Sequence, residues 1–144
     1  MNIKWDNRFL VLAEHIAGWS KDPSTQVGAV IVRPNNSVVS VGFNGFPIGI
    51  GDNKERYEHR ETKYELIVHG EINAITFAQE PLNGHTLYTW PFLPCARSAG
   101  IIIQNGIKRV VALSPTLEIE KRWGKSLTTT RTMFKEVGID YFEI

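Results

Sequence analysis

Little of the chemistry that marks secreted or membrane proteins is found in this chain of 144 residues. It has a single cysteine, Cys95, so an internal disulfide is excluded. No apolar run approaches the roughly 18 residues that a membrane span needs. The N-terminal stretch also lacks the unbroken apolar segment of a signal peptide. We therefore expect a cytoplasmic protein.

An excess of charge of either sign is also missing. The chain has 16 Lys and Arg residues against 15 Asp and Glu residues, a net charge of +1. This balance gives no overall attraction to nucleic acid or to an anionic membrane, so we expect neither as a partner. The length and the apolar fraction of 42 % are typical of one globular domain over residues 1–144.

The spacing of apolar and turn residues predicts an α/β fold. Helices are predicted over residues 5–19, 66–79, 95–105 and 128–137, and strands over 27–32, 38–43, 86–90, 110–113 and 139–142. Residues 44–63, rich in glycine and charge, receive no assignment. An opening hairpin followed by alternating strands and helices predicts a five-stranded mixed sheet with helices on its faces.

Two short motifs lie where helices are predicted to begin: His69-Gly70-Glu71 and the segment 94–98, Pro-Cys-Ala-Arg-Ser. Positions 69 and 71 are about 200° apart around a helix, so their side chains converge only on a point beyond the helix end. Positions 95 and 98 are about 300° apart and share one face of a first turn. A metal ion between two helix N-termini satisfies both spacings.

The chemistry of such a position suits these side chains. A helix N-terminus favours a thiolate at Cys95, and zinc with few protein ligands keeps an open position for a water of lowered pKa. Glu71 would then be the unligated carboxylate that moves protons. Ordinary alternatives are a favourable N-terminal charge for Glu71, a core histidine at His69 and a small buried thiol at Cys95.

At these residues the chain resembles the cytidine deaminase-like superfamily, whose signature is H-x-E followed by P-C-x-x-C. The likeness to deoxycytidylate deaminases covers residues 20–32, 42–47, 69–75, 86–88 and 94–107. It implies a three-layer α-β-α fold, zinc as cofactor and hydrolytic deamination of a cytosine-type nucleotide by zinc-bound hydroxide, most simply dCMP to dUMP. It also implies a homo-oligomer, a dimer or hexamer.

The resemblance implies that His69 and Cys95 ligate zinc and that Glu71 is the proton shuttle. Ser98 stands where the signature has its second cysteine, and a neutral hydroxyl is a poorer zinc ligand than a thiolate. Three hypotheses follow. Zinc binds with reduced affinity, with Ser98 or water completing the shell; the serine is a deliberate substitution; or the chain has lost its metal.

Substrate contacts are implied for three further positions. Asn44 would bind the sugar, the Gly70 N–H would meet the pyrimidine carbonyl, and Ala29 would wall the base pocket. Asn44, before Gly45, also has the pattern of a plain turn residue. A substrate phosphate needs a cationic partner, for which the sequence offers three candidates: Lys21, Arg56 and Arg60.

Two other functions remain open. Adenosine deamination in tRNA shares the motif but favours a basic surface, and the only basic cluster is at residues 121–125. A metal-free, non-catalytic nucleotide-binding relative would follow if Ser98 abolished zinc binding.

Overall fold

A mixed sheet of five strands forms the centre of the molecule, seen in a computed structural model that describes residues 2–144. The strands are β1 (Gly28–Val32), β2 (Val38–Phe43), β3 (Thr86–Trp90), β4 (Arg109–Ala112) and β5 (Asp140–Glu143). They lie in the order β2-β1-β3-β4-β5. Strand β1 runs antiparallel to both β2 and β3, whereas β3, β4 and β5 are parallel. The predicted mixed sheet is confirmed.

Helices cover both faces of this sheet. They are α1 (Ile3–Ala17), α2 (Lys54–Glu58), α3 (Arg60–Leu66), α4 (Gly70–Ala78), α5 (Ala96–Gln104) and α6 (Leu117–Val137). Because side chains alternate along a strand, Val30 and Val32 pack against α1, while Ala29 and Ile31 join the core beneath α4, α5 and α6. The fold is the three-layer α-β-α arrangement that was expected. No helix within residues 2–144 is both long and apolar enough to cross a membrane.

Two strand glycines allow helices to approach the sheet closely. A Cβ atom at Gly42 would overlap the backbone of Gly70 and Ala74 in α4, and one at Gly28 would overlap the backbone of α1. Glycine has no Cβ, so these positions bring helix and strand backbones into direct contact. Contact at Gly42 fixes the N-terminus of α4 beside the end of β2.

Three differences between the predicted and the observed elements exceed two residues. Helix α4 begins at Gly70 rather than at residue 66, because Val68 pairs with Gly45 in an isolated bridge. Residues 44–63, unassigned from the sequence, contain α2 and most of α3. The largest difference is α6, which begins at Leu117 instead of residue 128. The added turns contain Gly124 and few apolar residues, so local propensity does not reveal them.

Candidate metal centre and active site

His69 and Cys95 occupy equivalent places in the fold. Each is the N-cap residue of a helix, His69 for α4 and Cys95 for α5, with an extended backbone and φ of −68°. Paired backbone hydrogen bonds between Gly45 and Val68 (2.8 and 3.1 Å) place His69 beside the end of β2. The two motifs therefore meet across two helix N-termini, as their spacing predicts.

The side chains at these helix tips form a compact set of donors. His69 Nδ1 lies 3.4 Å from Cys95 Sγ and 3.1 Å from Ser98 Oγ, and Cys95 Sγ lies 3.5 Å from Ser98 Oγ. Tetrahedral zinc, with bonds of about 2.0–2.3 Å, separates neighbouring ligand atoms by about 3.3–3.8 Å. Nitrogen, sulfur and oxygen therefore already stand close to the edge lengths of a zinc ligand triangle.

Glu71 lies in the first turn of α4, behind His69. Its side chain is buried, and Oε1 is 3.7 Å from His69 Nδ1. The potential ligand atoms of His69, Glu71 and Cys95 all lie within 4.8 Å of one another. Burial would raise the pKa of Glu71, but the hydrogen bond and charge of His69 outweigh it and lower that pKa. The structure thus favours a carboxylate at this position.

The same contacts act on the two neighbouring donors. Hydrogen bonds to Cys95 and then to Glu71 raise the pKa of His69 to about 10, although burial opposes this. Burial would raise the pKa of the Cys95 thiol, yet its hydrogen bonds with His69 and Ser98 bring that pKa below its ordinary value. The anionic forms of Cys95 and Glu71 are thus favoured together with a positive charge between them, as expected at a site that binds a cation.

The donor set opens into a cavity with a largely apolar wall. Asn44, His69, Glu71 and Cys95 line it, whereas the buried Ser98 lies behind His69 and Cys95. The apolar part of the wall consists of Val27, Ile67, Phe92, Leu93, Pro94 and Trp123. Such a cavity provides an aromatic and aliphatic surface for a flat ring next to a polar, ionisable end.

Asn44 reaches this cavity with most of its amide already bound. Its Nδ2 donates to Thr25 O (2.8 Å) and Asp22 Oδ2 (3.3 Å), and its Oδ1 accepts from Val27 N (2.8 Å). These bonds fasten the segment between α1 and β1 to the end of β2. Because both Nδ2 hydrogens are used, a substrate group meeting Asn44 would have to donate to Oδ1.

The structure does not bring Ala29 to the cavity wall. Ala29 is fully buried in the core under α4, and Val27, just before β1, lines the cavity instead. Gly70 is the first residue of α4 and is also buried. A Cβ at Gly70 would lie 3.1 Å from Val27 O and 3.3 Å from Asn44 N. Glycine at this position therefore relieves a tight contact.

Sequence reasoning missed the residues of α6 that hold Cys95 in place. Ser126 Oγ accepts a hydrogen bond from Ala96 N (3.0 Å), the first free N–H of α5. Thr130, fully buried, donates to Pro94 O (2.8 Å). The two polar residues are four positions apart and share one helix face, but this spacing predicts no partner 30 residues away.

Comparison with known families decides what the site belongs to. A sequence profile described as "Cytidine and deoxycytidylate deaminase zinc-binding region" matches residues 3–114. The chain is a member of this deaminase family. The family's zinc-binding region and the cluster of His69, Glu71 and Cys95 together fit zinc as the cofactor of this deaminase.

Individual relatives agree with the family. The deaminase is 44 % identical over 137 residues to an "Uncharacterized deaminase in luxG 3'region" of Aliivibrio fischeri, covering 95 % of this chain and 91 % of that protein. It is 35 % identical over 145 residues to the deoxycytidylate deaminase of Mus musculus, covering 96 % and 79 %. A cyanophage S-TIM5 dCMP deaminase, solved with dCMP and dUMP, shares the fold with a TM-score of 0.77 at 20 % identity, over 100 % and 99 % of the chains.

Proposed function

We propose that this deaminase converts dCMP to dUMP by hydrolysis. The observation that carries the proposal is the convergence of His69, Cys95 and the buried Glu71 at two helix tips, their ligand atoms within 4.8 Å of one another. The substrate comes from two of the relatives, because the mouse protein is a deoxycytidylate deaminase and the cyanophage dCMP deaminase was solved with dCMP and dUMP. The apolar cavity wall suits a pyrimidine ring.

The metal shell we propose consists of His69, Cys95 and Ser98. Support comes from the triangle of 3.1, 3.4 and 3.5 Å between their donor atoms. Of the three ligands only Cys95 is negatively charged when ionised. This shell therefore carries one negative charge fewer than a shell with two thiolates. When bound, zinc supplies a Lewis acid that makes water nucleophilic near neutral pH.

Glu71 has the position and the ionisation state of a proton carrier. Its carboxylate lines the cavity beside the donor triangle, with Oε1 3.7 Å from His69 Nδ1, where a bound cation would keep it ionised. In the reaction it takes a proton from water as the water oxygen bonds to the ring carbon that bears the amine. It then delivers a proton to the nitrogen, the carbon–nitrogen bond breaks and ammonia leaves.

The proposal extends to the substrate contacts, the compartment and the assembly. Asn44 Oδ1 would accept a hydrogen bond from a sugar hydroxyl, and the N–H of Gly70 would face the pyrimidine carbonyl. A reducing compartment such as the cytoplasm suits a thiolate ligand like Cys95. Dimers or hexamers are proposed from the family resemblance, with residues 1–144 acting as one deaminase domain.

Zinc titration combined with a deaminase assay tests the proposal. The protein is purified, its zinc content is measured, and steady-state turnover is followed for dCMP, dCTP, cytidine, deoxycytidine and an adenosine-containing tRNA arm. We expect about one zinc per chain after reconstitution and turnover highest on dCMP. Reconstituted protein that retains no zinc and turns over none of these compounds would instead favour a non-catalytic nucleotide-binding role.

A further inference from the structure

The cavity described above carries two lysine or arginine side chains on its wall, Lys63 and Arg122. Lys63 Nζ lies 2.9 Å from Asp22 Oδ1 and 3.1 Å from Ser24 Oγ, and both charged side chains are nearly buried. Its charge is therefore neutralised, and two of its three ammonium donors are used. Lys63 has a structural partner and little left for a ligand.

Arg122 differs from Lys63 in having no such partner. Its guanidinium lies over the ring of Trp123, 5.0 Å from the centroid, and no carboxylate oxygen within residues 2–144 lies within 4.0 Å of it. By contrast Arg131, on the same helix, binds both Glu120 and Glu143. Within residues 2–144 the guanidinium of Arg122 makes no hydrogen bond. Stacking on the aromatic ring orients the guanidinium plane and leaves its N–H donors available to a ligand.

Arg122 also stands at the mouth of the cavity. Together with Trp123 it lines the cavity and the two pockets next to it, so this pair forms the boundary between them. The Trp123 ring in turn stacks on Phe92, with centroids 6.3 Å apart, just before the Cys95 motif. A ligand whose ring fills the cavity would present its outer end to this boundary.

The cations suggested by the sequence do not share this position. Lys21 is exposed and paired with Asp52 at 3.0 Å, Arg56 Nη1 donates to Gly51 O, and Arg60 lies against Tyr64. All three are absent from the cavity wall as the structure describes it. An anionic group on a ligand in the cavity would meet Arg122 as its unpaired cation.

We propose that Arg122 binds the 5′-phosphate of a pyrimidine nucleoside monophosphate, an inference that rests on the proposed function. A planar guanidinium can hold two phosphate oxygens at once, which gives both attraction and orientation. Charge-assisted contacts of this kind change affinity by about 10- to 100-fold. Arg122 would therefore select nucleotides over nucleosides.

Equilibrium binding tests the proposal without turnover. Calorimetry on zinc-loaded protein compares dUMP with deoxyuridine, for the wild type, Arg122→Gln and Arg122→Lys. We expect the wild type to bind dUMP at least about tenfold more tightly, Arg122→Gln to bring the affinity ratio near one, and Arg122→Lys to keep part of it because lysine offers only a point charge. Lys125→Gln, which changes a neighbouring cation that lines one of the adjacent pockets but not the cavity, serves as the control and should keep the wild-type ratio.

Two results would overturn the role of Arg122: a wild type without preference for dUMP, or an Arg122→Gln variant that keeps it. Failure of the proposed function gives a different result. If the wild type deaminates no cytosine compound yet keeps an Arg122-dependent preference for dUMP, the phosphate site stands and the deaminase proposal is wrong. If the wild type deaminates dCMP and Arg122→Gln keeps the wild-type ratio of dUMP to deoxyuridine affinity, the deaminase proposal stands and the phosphate role of Arg122 is wrong.

Discussion

The inner and outer parts of the site are built in different ways. The inner part, which we call the floor, comprises His69, Glu71, Cys95 and Ser98. The outer part, which we call the rim, comprises Asp22, Lys63, Arg122 and Trp123. Floor residues sit at two helix tips, so their placement follows from local backbone geometry. Rim residues come from a loop and two helices far apart in sequence. The placement of the reactive side chains is therefore determined by local sequence, whereas the access of substrate to them and the selectivity for it depend on tertiary packing.

Removing the carboxylate of the floor should have the largest effect. Glu71→Gln keeps the shape of the buried side chain but cannot carry protons, so we expect kcat on dCMP to fall by about 10²–10⁴-fold. Zinc content should stay near one per chain, because the proposed shell does not use Glu71. The variant Glu65→Gln, on the exposed face of α3, is the control. A Glu71→Gln enzyme with normal kcat would remove Glu71 from the mechanism.

Breaking the ion pair of the rim should mainly affect stability. Lys63→Met leaves Asp22, whose side chain is 3 % exposed, without its cation, and an uncompensated buried charge costs about 3 kcal/mol or more. We expect the free energy of unfolding in urea to fall by about that amount. Lys54→Met breaks an exposed pair with Glu58 and should cost at most about 0.5 kcal/mol. Equal effects of the two substitutions would contradict a structural role for Lys63.

The contrast between floor and rim also explains what the sequence could predict. His69 and Cys95 were found because each stands at a fixed number of residues from a partner on the same helix turn. Strand β2 and strand β3 were predicted with the bounds that the structure gives them, because their apolar runs end at clear turn signals. These features depend on residues that are neighbours in the sequence, so the spacing of residues in a single sequence predicts them.

Features set by distant residues were missed. The first eleven residues of α6, residues 117–127, are helical because Trp123 and Leu127 pack on the core and Thr116 caps the N-terminus, accepting from Ile119 N at 3.2 Å. Local propensity there is opposed by Gly124. Ala29 was expected to wall the base pocket because of its strand; its side chain lies in the core beneath α4, and Val27, just before β1, lines the cavity.

Close packing of α4 on β2 offers a way to disturb the floor without changing it. Gly42→Ala places a Cβ against backbone atoms of Gly70 and Ala74, which cannot move independently of α4. We expect a loss of about 2 kcal/mol in unfolding free energy and weaker zinc binding, because α4 positions His69 and Glu71. Gly45→Ala is the matched control, since nothing lies within 4 Å of its Cβ. Zinc affinity unchanged in Gly42→Ala would mean that the floor does not depend on this contact.

The smallest effect concerns the one atom in which the floor departs from the family signature. Ser98→Cys replaces a neutral oxygen by a sulfur that ionises beside His69, at a position 3.5 Å from Cys95 Sγ. We expect zinc to bind about tenfold more tightly, since thiolates are the stronger ligands for zinc, and kcat on dCMP to rise or appear. Competition with a chromophoric chelator measures the affinity. Ser37→Cys adds a thiol on an exposed turn and controls for adventitious binding. If Ser98→Cys changed neither affinity nor turnover, residue 98 would lie outside the metal shell, and the floor would hold its ion with His69, Cys95 and solvent alone.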